Sequence, residues 1–359
     1  MDGRVAEEVR HFLTDFLERR RRDCADMDAE FTETVVDRLT RFTLDGGKRL
    51  RPLFAWWGWR AAGGADQGPA AGAMLRAAAA LELIQTCALV HDDVMDGSAL
   101  RRGNPAVHVL FGAVHRDGGW FGDPERYGTA LAMLTGDLSL AWADDMLEEA
   151  GLSPAARTRA RGPWRAMRTE MMAGQFLDIH GQARRDDSEI TALRADRLKT
   201  AAYSVERPLQ FGAVIAGAGE GVVAALRGYG EDIGIAFQLR DDLLGVFGAP
   251  EATGKPVGDD LREGKRTLLL AIGMRRARER GDAAALAELS AAVGDPGLTG
   301  ADIETTRALL DRLGARQEVE ERIRRLAEQG QQRLKQAPIS EAAVRALRRL
   351  AVRATERDR

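Results

Sequence analysis

Apolar residues recur at three- and four-residue spacing along nearly the whole chain. This period predicts amphipathic helices, which are clearest over Val5 to Glu18, Ala29 to Phe42, Met74 to Met95, Ala130 to Ala150, Arg157 to His180 and Tyr229 to Val246. Alternating segments of β-branched and aromatic residues, which are typical of strands, are scarce. The pattern therefore predicts an all-α protein.

Clusters of glycine and proline separate these segments, as expected of helix connections. Examples are Asp45-Gly46-Gly47 and Gly103-Asn104-Pro105. The region from about 110 to 130, where Trp120 lies among glycines, is predicted to be a loop inserted between helices. We find no repeat of fixed period and no long flexible linker, so we expect a single helical domain over residues 1–359.

Composition, charge and cysteine spacing exclude several classes of protein. A chain of 359 residues that is 45% hydrophobic can bury a large core, and a net charge of −3 without long runs of like charge argues against nucleic-acid binding. Cys24 and Cys87 have neither disulfide nor zinc spacing. The N-terminus is charged, and no apolar stretch approaches the roughly 18 to 20 residues of a membrane span. We expect a cytoplasmic protein that does not cross a membrane.

Two acidic motifs each adjoin an apolar helical segment. The first is His91-Asp92-Asp93-Val94-Met95-Asp96, in which Asp92 and Asp96 share a helix face one turn apart. The second contains Asp241-Asp242 within Phe237 to Gly245. A single acidic pair is commonly part of a solvated helix face. Two such motifs in one chain indicate that both bind the same ligand. Oxygen ligands without histidine or cysteine favour a hard cation, and Mg²⁺ typically combines one or two carboxylates with substrate phosphates.

Basic residues lie in glycine-flanked segments that suit phosphate. The segment Gly46 to Pro52 contains Lys48 and Arg51 and leads into a helix, and Arg101-Arg102-Gly103 follows the first acidic motif. Of the five lysines, Lys48, Lys199, Lys255 and Lys265 lie in glycine-flanked or polar segments. Together with the acidic motifs, they predict a magnesium-diphosphate site.

Five segments in this order resemble the trans-isoprenyl diphosphate synthases, the polyprenyl synthetase family, over about residues 30 to 350. They are GGKRLRP, HDDVMDGSALRRG, Lys199-Thr200, FQLRDDLLGVFG and GKPVGDDLREGKRT. The resemblance implies a large all-helical bundle of the isoprenoid synthase type around a central cavity. It also implies a homodimer that binds isopentenyl diphosphate and an allylic diphosphate, namely dimethylallyl, geranyl or farnesyl diphosphate.

The resemblance also implies a role for each motif residue. The carboxylates of Asp92, Asp96 and Asp241 would hold Mg²⁺, with three ions in the site, and Asp93 and Asp242 lie beside them. The groups that would bind diphosphate are Arg101, Lys199, Lys255 and Lys265. Those that would bind isopentenyl diphosphate are Lys48, Arg51, Arg102 and Gln85. The side chains of Thr200 and Gln238 would face the allylic cation. Gln85 stands where the family often has histidine, and Gly245 stands where many relatives have a third aspartate.

The length of the product is expected to depend on small residues one helical turn before Asp92. Cys87 and Ala88 would form the floor of the cavity, where makers of short products resemble one another in carrying a bulky aromatic. Their small size favours the twenty-carbon geranylgeranyl diphosphate. A farnesyl or longer-chain polyprenyl synthase remains an alternative, as does a class I terpene cyclase of the same fold. A non-catalytic partner of another synthase would have no need for repelling carboxylates.

Overall fold

The computed structural model describes residues 2–248 and 258–355 and confirms the all-α prediction. A hairpin of two short antiparallel strands is the only sheet among the described residues. In chain order the elements are α1 (Val5–Met27), α2 (Ala29–Phe31), a π-helical segment (Thr32–Val36), α3 (Asp37–Leu44), α4 (Leu50–Ala61), α5 (Pro69–Asp96), β1 (Leu100–Arg101), β2 (Asn104–Pro105), α6 (Val107–Asp117), α7 (Pro124–Glu148), α8 (Pro154–Arg184), α9 (Glu189–Asp196), a second π-helical segment (Arg197–Glu206), α10 (Arg207–Ala216), α11 (Glu220–Phe247), α12 (Asp259–Arg262), α13 (Leu268–Glu279), α14 (Ala283–Ala292), α15 (Gly300–Leu313), α16 (Ala315–Gln336) and α17 (Glu341–Thr355).

The predicted loop from about 110 to 130 is wrong. Helix α6 continues to Asp117 and α7 begins at Pro124, so only a short connection separates the two helices. Trp120 packs in this connection, with its ring centroid 5.9 Å from that of His115 and 5.5 Å from that of Tyr127. The glycines and aromatic residues therefore belong to a short connection at the surface, in which Trp120 is 45% and Phe121 105% exposed.

The chain folds into two compact units, and the prediction of a single domain remains a prediction. The first unit contains the residues up to Trp164 together with Pro208–Val223, and the second contains Arg165–Arg207 together with the residues from Ala224 onward.

In the first unit, α5 packs against α1, α4 and α7. Its most apolar 18-residue window has a mean hydropathy of 1.5, and 78% of that window is buried inside the protein. The expectation that no apolar stretch is long enough to span a membrane is therefore wrong for α5, although such burial is typical of a core helix. Trp56, Trp57 and Trp59 are buried in the same unit.

The second unit has its own apolar core. Leucines of α11 and α13 pack with α15 and α16, through side chains such as Leu239, Leu269 and Leu310, all of which are fully buried. The second π-helical segment lies against α8 and α11. A Cβ atom at Gly174 would stand 2.1 Å from the backbone nitrogen of Lys199, and one at Gly234 would stand 2.6 Å from the Cα of Ala201. This close packing fixes the backbone that carries Lys199 and Thr200.

Candidate active site

The first acidic motif forms the C-terminal end of α5, which stops at Gly97 in a left-handed conformation with φ of 66°. Asp92 and Asp96 are partly exposed, whereas Asp93 is completely buried. Because an α-helix turns by about 100° per residue, Asp96 lies about 40° from Asp92 around the helix axis. The two partly exposed carboxylates therefore share one face, whereas Asp93 lies about 100° from Asp92, on the buried side of the helix.

Asp93 and Asp92 both accept hydrogen bonds from Arg101. The Arg101 Nε donates to Asp93 Oδ1 at 2.7 Å, and its Nη2 donates to Asp92 Oδ2 at 3.1 Å. Burial opposes the charge of this guanidinium, but the attraction of Asp93 and then Asp92 outweighs it and raises the pKa of Arg101. Arg101 therefore stays charged and holds the end of the first motif.

Arg102 and Arg101 form hydrogen bonds with different partners. Arg102 and Gly103 form the two-residue turn of the hairpin, with φ of 55° and 75°, as in the tight turns that favour hairpins. The Arg102 Nη1 donates to the Asp45 carbonyl at 2.8 Å. The pKa of Arg102 is lowered because its guanidinium is desolvated against the loop, and because the positive charges of Arg49 and other arginines lie near it.

The glycine segment before α4 lies against the Arg102 guanidinium. Gly46 and Gly47 have φ of 77° and 83°, and a Cβ atom at either would lie 3.4 Å from an Arg102 guanidinium nitrogen. Lys48 follows them at the surface, and Arg51 lies in the first turn of α4. The first unit thus brings the loop, Arg102 and the first acidic motif together. Gln85 is partly buried two turns before Asp92 on α5.

The two predicted floor residues occupy different faces of α5. Ala88 is partly exposed and lies about 40° from Asp92 around the axis, whereas Cys87 lies about 140° away. Cys87 is 3% exposed, and its Sγ lies 3.7 Å from His91 Nδ1. Burial, followed by the charge of Asp137, raises the pKa of the Cys87 thiol to about 12. Ala88 thus shares the face of the acidic motif, and Cys87 packs inside the unit.

The second unit contains the other predicted site residues that the structure describes. Lys199 and the part-buried Thr200 lie in the second π-helical segment, a geometry that often marks functional positions. The Lys199 Nζ donates to Asp178 Oδ2 at 2.5 Å. Asp178 on α8 was missed in the sequence, because a single aspartate within an amphipathic helix gives no signal of its own.

Carboxylates crowd together around Asp242. The Gln238 Nε2 donates to Asp242 Oδ1 at 2.6 Å, while the buried Asp242 Oδ2 has no hydrogen-bond partner among the described residues. Burial and then the charges of Asp196 and Asp260 raise the pKa of Asp242 well above its ordinary value. Burial and then Asp178 raise the pKa of Asp196 to about 8, against the opposing effect of Lys199. Such a cluster favours the binding of a cation.

Asp260 explains the glycine that replaces a third aspartate in the second motif. A Cβ atom at Gly245 would lie 1.8 Å from the Asp260 Oδ2, so the Asp260 carboxylate fills the space beside that position. Lys265 lies 3.3 Å from Asp260 Oδ1 and 3.0 Å from Glu263 Oε2, measured from its Nζ. Asp241 is partly exposed next to the buried Asp242. Lys255 lies outside the described residues.

The donor set fits a magnesium ion that the substrate helps to hold. In residues 2–248 and 258–355, no three His, Cys, Asp or Glu side chains form a ready group of metal ligands. Mg²⁺ keeps few protein ligands and completes its octahedron with phosphate oxygens and water. In the first unit the partly exposed carboxylates of Asp92 and Asp96, and in the second unit the unsatisfied oxygen of Asp242, each agree with that pattern. The predicted ligand roles of Asp92, Asp96 and Asp241 remain predictions.

Known proteins are similar to this chain over nearly its whole length. The polyprenyl synthetase family matches residues 33–294. A crystal structure of geranylgeranyl pyrophosphate synthase from Corynebacterium glutamicum, complexed with isoprenyl diphosphate and magnesium, is 46% identical with a TM-score of 0.94, and 99% of each chain is covered.

Two archaeal enzymes are similar over shorter spans. The short chain isoprenyl diphosphate synthase of Methanothermobacter thermautotrophicus is 36% identical over 69% of this chain and 69% of its own. The geranylfarnesyl diphosphate synthase of Aeropyrum pernix is 36% identical over 70% of this chain and 75% of its own. With the acidic motifs, the basic glycine loop and the helical fold described, the chain belongs to the polyprenyl synthetase family and is a prenyltransferase.

Proposed function

We propose that the protein joins isopentenyl diphosphate to an allylic diphosphate and that its main product is geranylgeranyl diphosphate. The observation that carries the proposal is the opposite orientation of two adjacent arginines. Arg101 binds the acidic motif, and Arg102 binds the glycine loop. The hairpin thus places one arginine at the acidic motif and the other at the basic glycine loop, an arrangement that suits two diphosphate substrates. A cyclase, which acts on a single long substrate, has no use for the second.

The residues have distinct tasks in this reaction. Lys48, Arg51 and Arg102 hold the diphosphate of isopentenyl diphosphate, with Gln85 beside it. Positive side chains, with Lys199 foremost, stabilise the charge that develops on the departing diphosphate of the allylic substrate. The oxygens of Thr200 and Gln238 face the allylic cation, which the double bond of isopentenyl diphosphate attacks. Loss of a proton then completes the new trans double bond.

Magnesium is the cofactor that these carboxylates fit. Asp92, Asp96 and Asp241 would hold the ions, three in the fully loaded site, and the metal would neutralise the leaving diphosphate. The related Corynebacterium glutamicum structure contains both magnesium and isoprenyl diphosphate. Arg101, which is bonded to Asp92 and to the neighbouring Asp93, keeps the ligand Asp92 in position.

The small residue at Ala88 supports a twenty-carbon product. It leaves space on the face of α5 below Asp92, where a growing tail would extend. The Aeropyrum pernix relative is named for a longer product than the Corynebacterium glutamicum relative, so overall similarity alone does not determine length. The side chains along this face of α5 determine the length of the product.

Two exposed apolar faces, one in each unit, suit contact with a second copy of the chain. Met172, Phe176 and Ile179 of α8 are 52%, 60% and 41% exposed and recur at helical spacing. On α7, Met133 and Leu134 are 51% and 55% exposed. Large exposed apolar stripes mark protein interfaces. A homodimer would cover them, and sedimentation equilibrium would test for it.

The defining experiment is a product analysis. Purified protein is incubated with Mg²⁺ and isopentenyl diphosphate, and separately with dimethylallyl, geranyl or farnesyl diphosphate, and the products are identified by mass. We expect geranylgeranyl diphosphate, and no product when the metal is chelated. A hydrocarbon formed from a long allylic substrate alone would indicate a cyclase. A farnesyl end product would indicate that another residue closes the cavity.

A further inference from the structure

A buried ion pair lies behind the glycine loop. Arg49 precedes α4 in a left-handed conformation with φ of 50°, which is uncommon for a residue with a side chain. It is 8% exposed, and Glu82 of α5 is 5% exposed. The Arg49 Nη1 donates to Glu82 Oε2 at 2.5 Å. Neither residue was among the predicted site residues.

The same guanidinium also binds the backbone on the other side of the loop. The Arg49 Nη2 donates to the carbonyls of Thr43 at 2.8 Å and of Leu44 at 3.1 Å. The Thr43 hydroxyl lies 2.9 Å from that of Thr86, so α5 holds the same turn a second time. Arg49 thus joins the two ends of the loop and ties both to α5.

The residues between these ends are Asp45, Gly46, Gly47 and Lys48, the segment that is proposed to bind isopentenyl diphosphate. Arg102 holds it from the outside through the Asp45 carbonyl. Arg49 holds it from the inside, with its charge balanced by Glu82. The glycines have no side chains with which to fix their own position, so these two arginines restrain the loop backbone.

We propose that Arg49 and Glu82 are positioning residues that set the affinity for isopentenyl diphosphate by holding the loop that carries Lys48. The inference rests on the proposed function of that loop. Arginine is required because its planar fork reaches the carboxylate and two carbonyls at once, which the single ammonium of lysine does not. Glu82 is required because it orients that fork and neutralises it in a buried place.

The test separates positioning from stability through variants that keep the local net charge. In Arg49→Lys the charge remains and the fork is lost. The double variant, Arg49→Met with Glu82→Met, removes both charges at once. Replacing a buried ion pair by apolar side chains often leaves the stability of the protein unchanged. For both we expect the KM for isopentenyl diphosphate to rise about tenfold or more. The KM for the allylic substrate and kcat should stay within about twofold.

A control uses an ion pair of the second unit, whereas the loop belongs to the first unit. Arg333 of α16 donates to Asp232 of α11 at 2.7 Å, and the variant with Arg333→Met and Asp232→Met removes it. We expect both KM values of this control to match those of the wild type. Thermal unfolding of every variant shows that the measured enzyme is folded.

The outcomes are distinguishable. A wild-type KM for isopentenyl diphosphate in folded Arg49→Lys and in the folded double variant would overturn the inference, as would an equal rise in both KM values. Glu82→Gln keeps the size of the side chain and provides the same comparison if the double variant does not fold. Absence of any elongation by the wild type would refute the proposed function itself, independently of these variants.

Discussion

A bulky residue at position 88 should shorten the product. Ala88 lies on the same face of α5 as Asp92, and four residues of helix correspond to a rise of about 6 Å. A hydrocarbon chain with bonds of about 1.5 Å and angles near 111° advances about 5 Å for each five-carbon unit. In Ala88→Phe the tail would therefore reach the new ring at about its second unit, and further growth would force the ring or the helix to move.

The size of the effect follows from packing. Overfilling a packed site costs about 1 to 3 kcal/mol, and 1.4 kcal/mol corresponds to a tenfold change in a ratio. We expect the share of twenty-carbon product to fall about fivefold to a hundredfold, with a product of fifteen carbons or fewer becoming the main one.

The assay is mass analysis of dephosphorylated products from Ala88→Phe, from the wild type and from Ala88→Ser. The serine variant keeps a small side chain and should retain the wild-type distribution. An active, folded Ala88→Phe enzyme with an unchanged distribution would show that the tail does not follow this face of α5, and the argument for the product would then fail.

Three further predictions concern the charged clusters. Arg101→Met should destabilise the protein by about 3 to 5 kcal/mol, as measured by urea unfolding, because it leaves the buried Asp93 without its cation; an unchanged unfolding midpoint would contradict the role of Arg101. Gly245→Ala should cost about 1 to 3 kcal/mol because its Cβ would meet Asp260, and Asp260→Ala in the same chain should recover much of that loss. Because the pKa of Asp196 is raised to about 8 in the folded state, its stabilising contribution is complete below the unfolded value near 4 and is lost as pH rises through 8. Metal-free wild-type protein should therefore lose stability between pH 4 and 8 relative to Asp196→Asn, and parallel pH profiles for the two proteins would exclude this effect.

Much of the site follows from order and spacing along the chain. Asp92 and Asp96 share a face because four residues make about one helical turn, and that holds wherever the helix packs. Gly46 and Gly47 predict a turn by composition alone. The helical period, the two acidic motifs and the family resemblance therefore needed no tertiary information.

Order and spacing along the chain do not distinguish the roles of neighbouring residues. Cys87 and Ala88 are equally small in the sequence, but packing of α5 within the first unit buries the first and leaves the second on the face of Asp92. Arg101 and Arg102 are the same residue type, and the hairpin directs one to the carboxylates and the other to the loop.

The sequence by itself determined the helices, the carboxylate pairs and the basic segments, because these depend on short-range periodicity and on side-chain chemistry. Only the tertiary structure decided that Asp260 fills the space beside Gly245, and that Glu82 neutralises Arg49 behind the loop. Each of these pairs joins separate elements across a long stretch of chain. Their contact depends on how the elements pack, which local patterns do not encode.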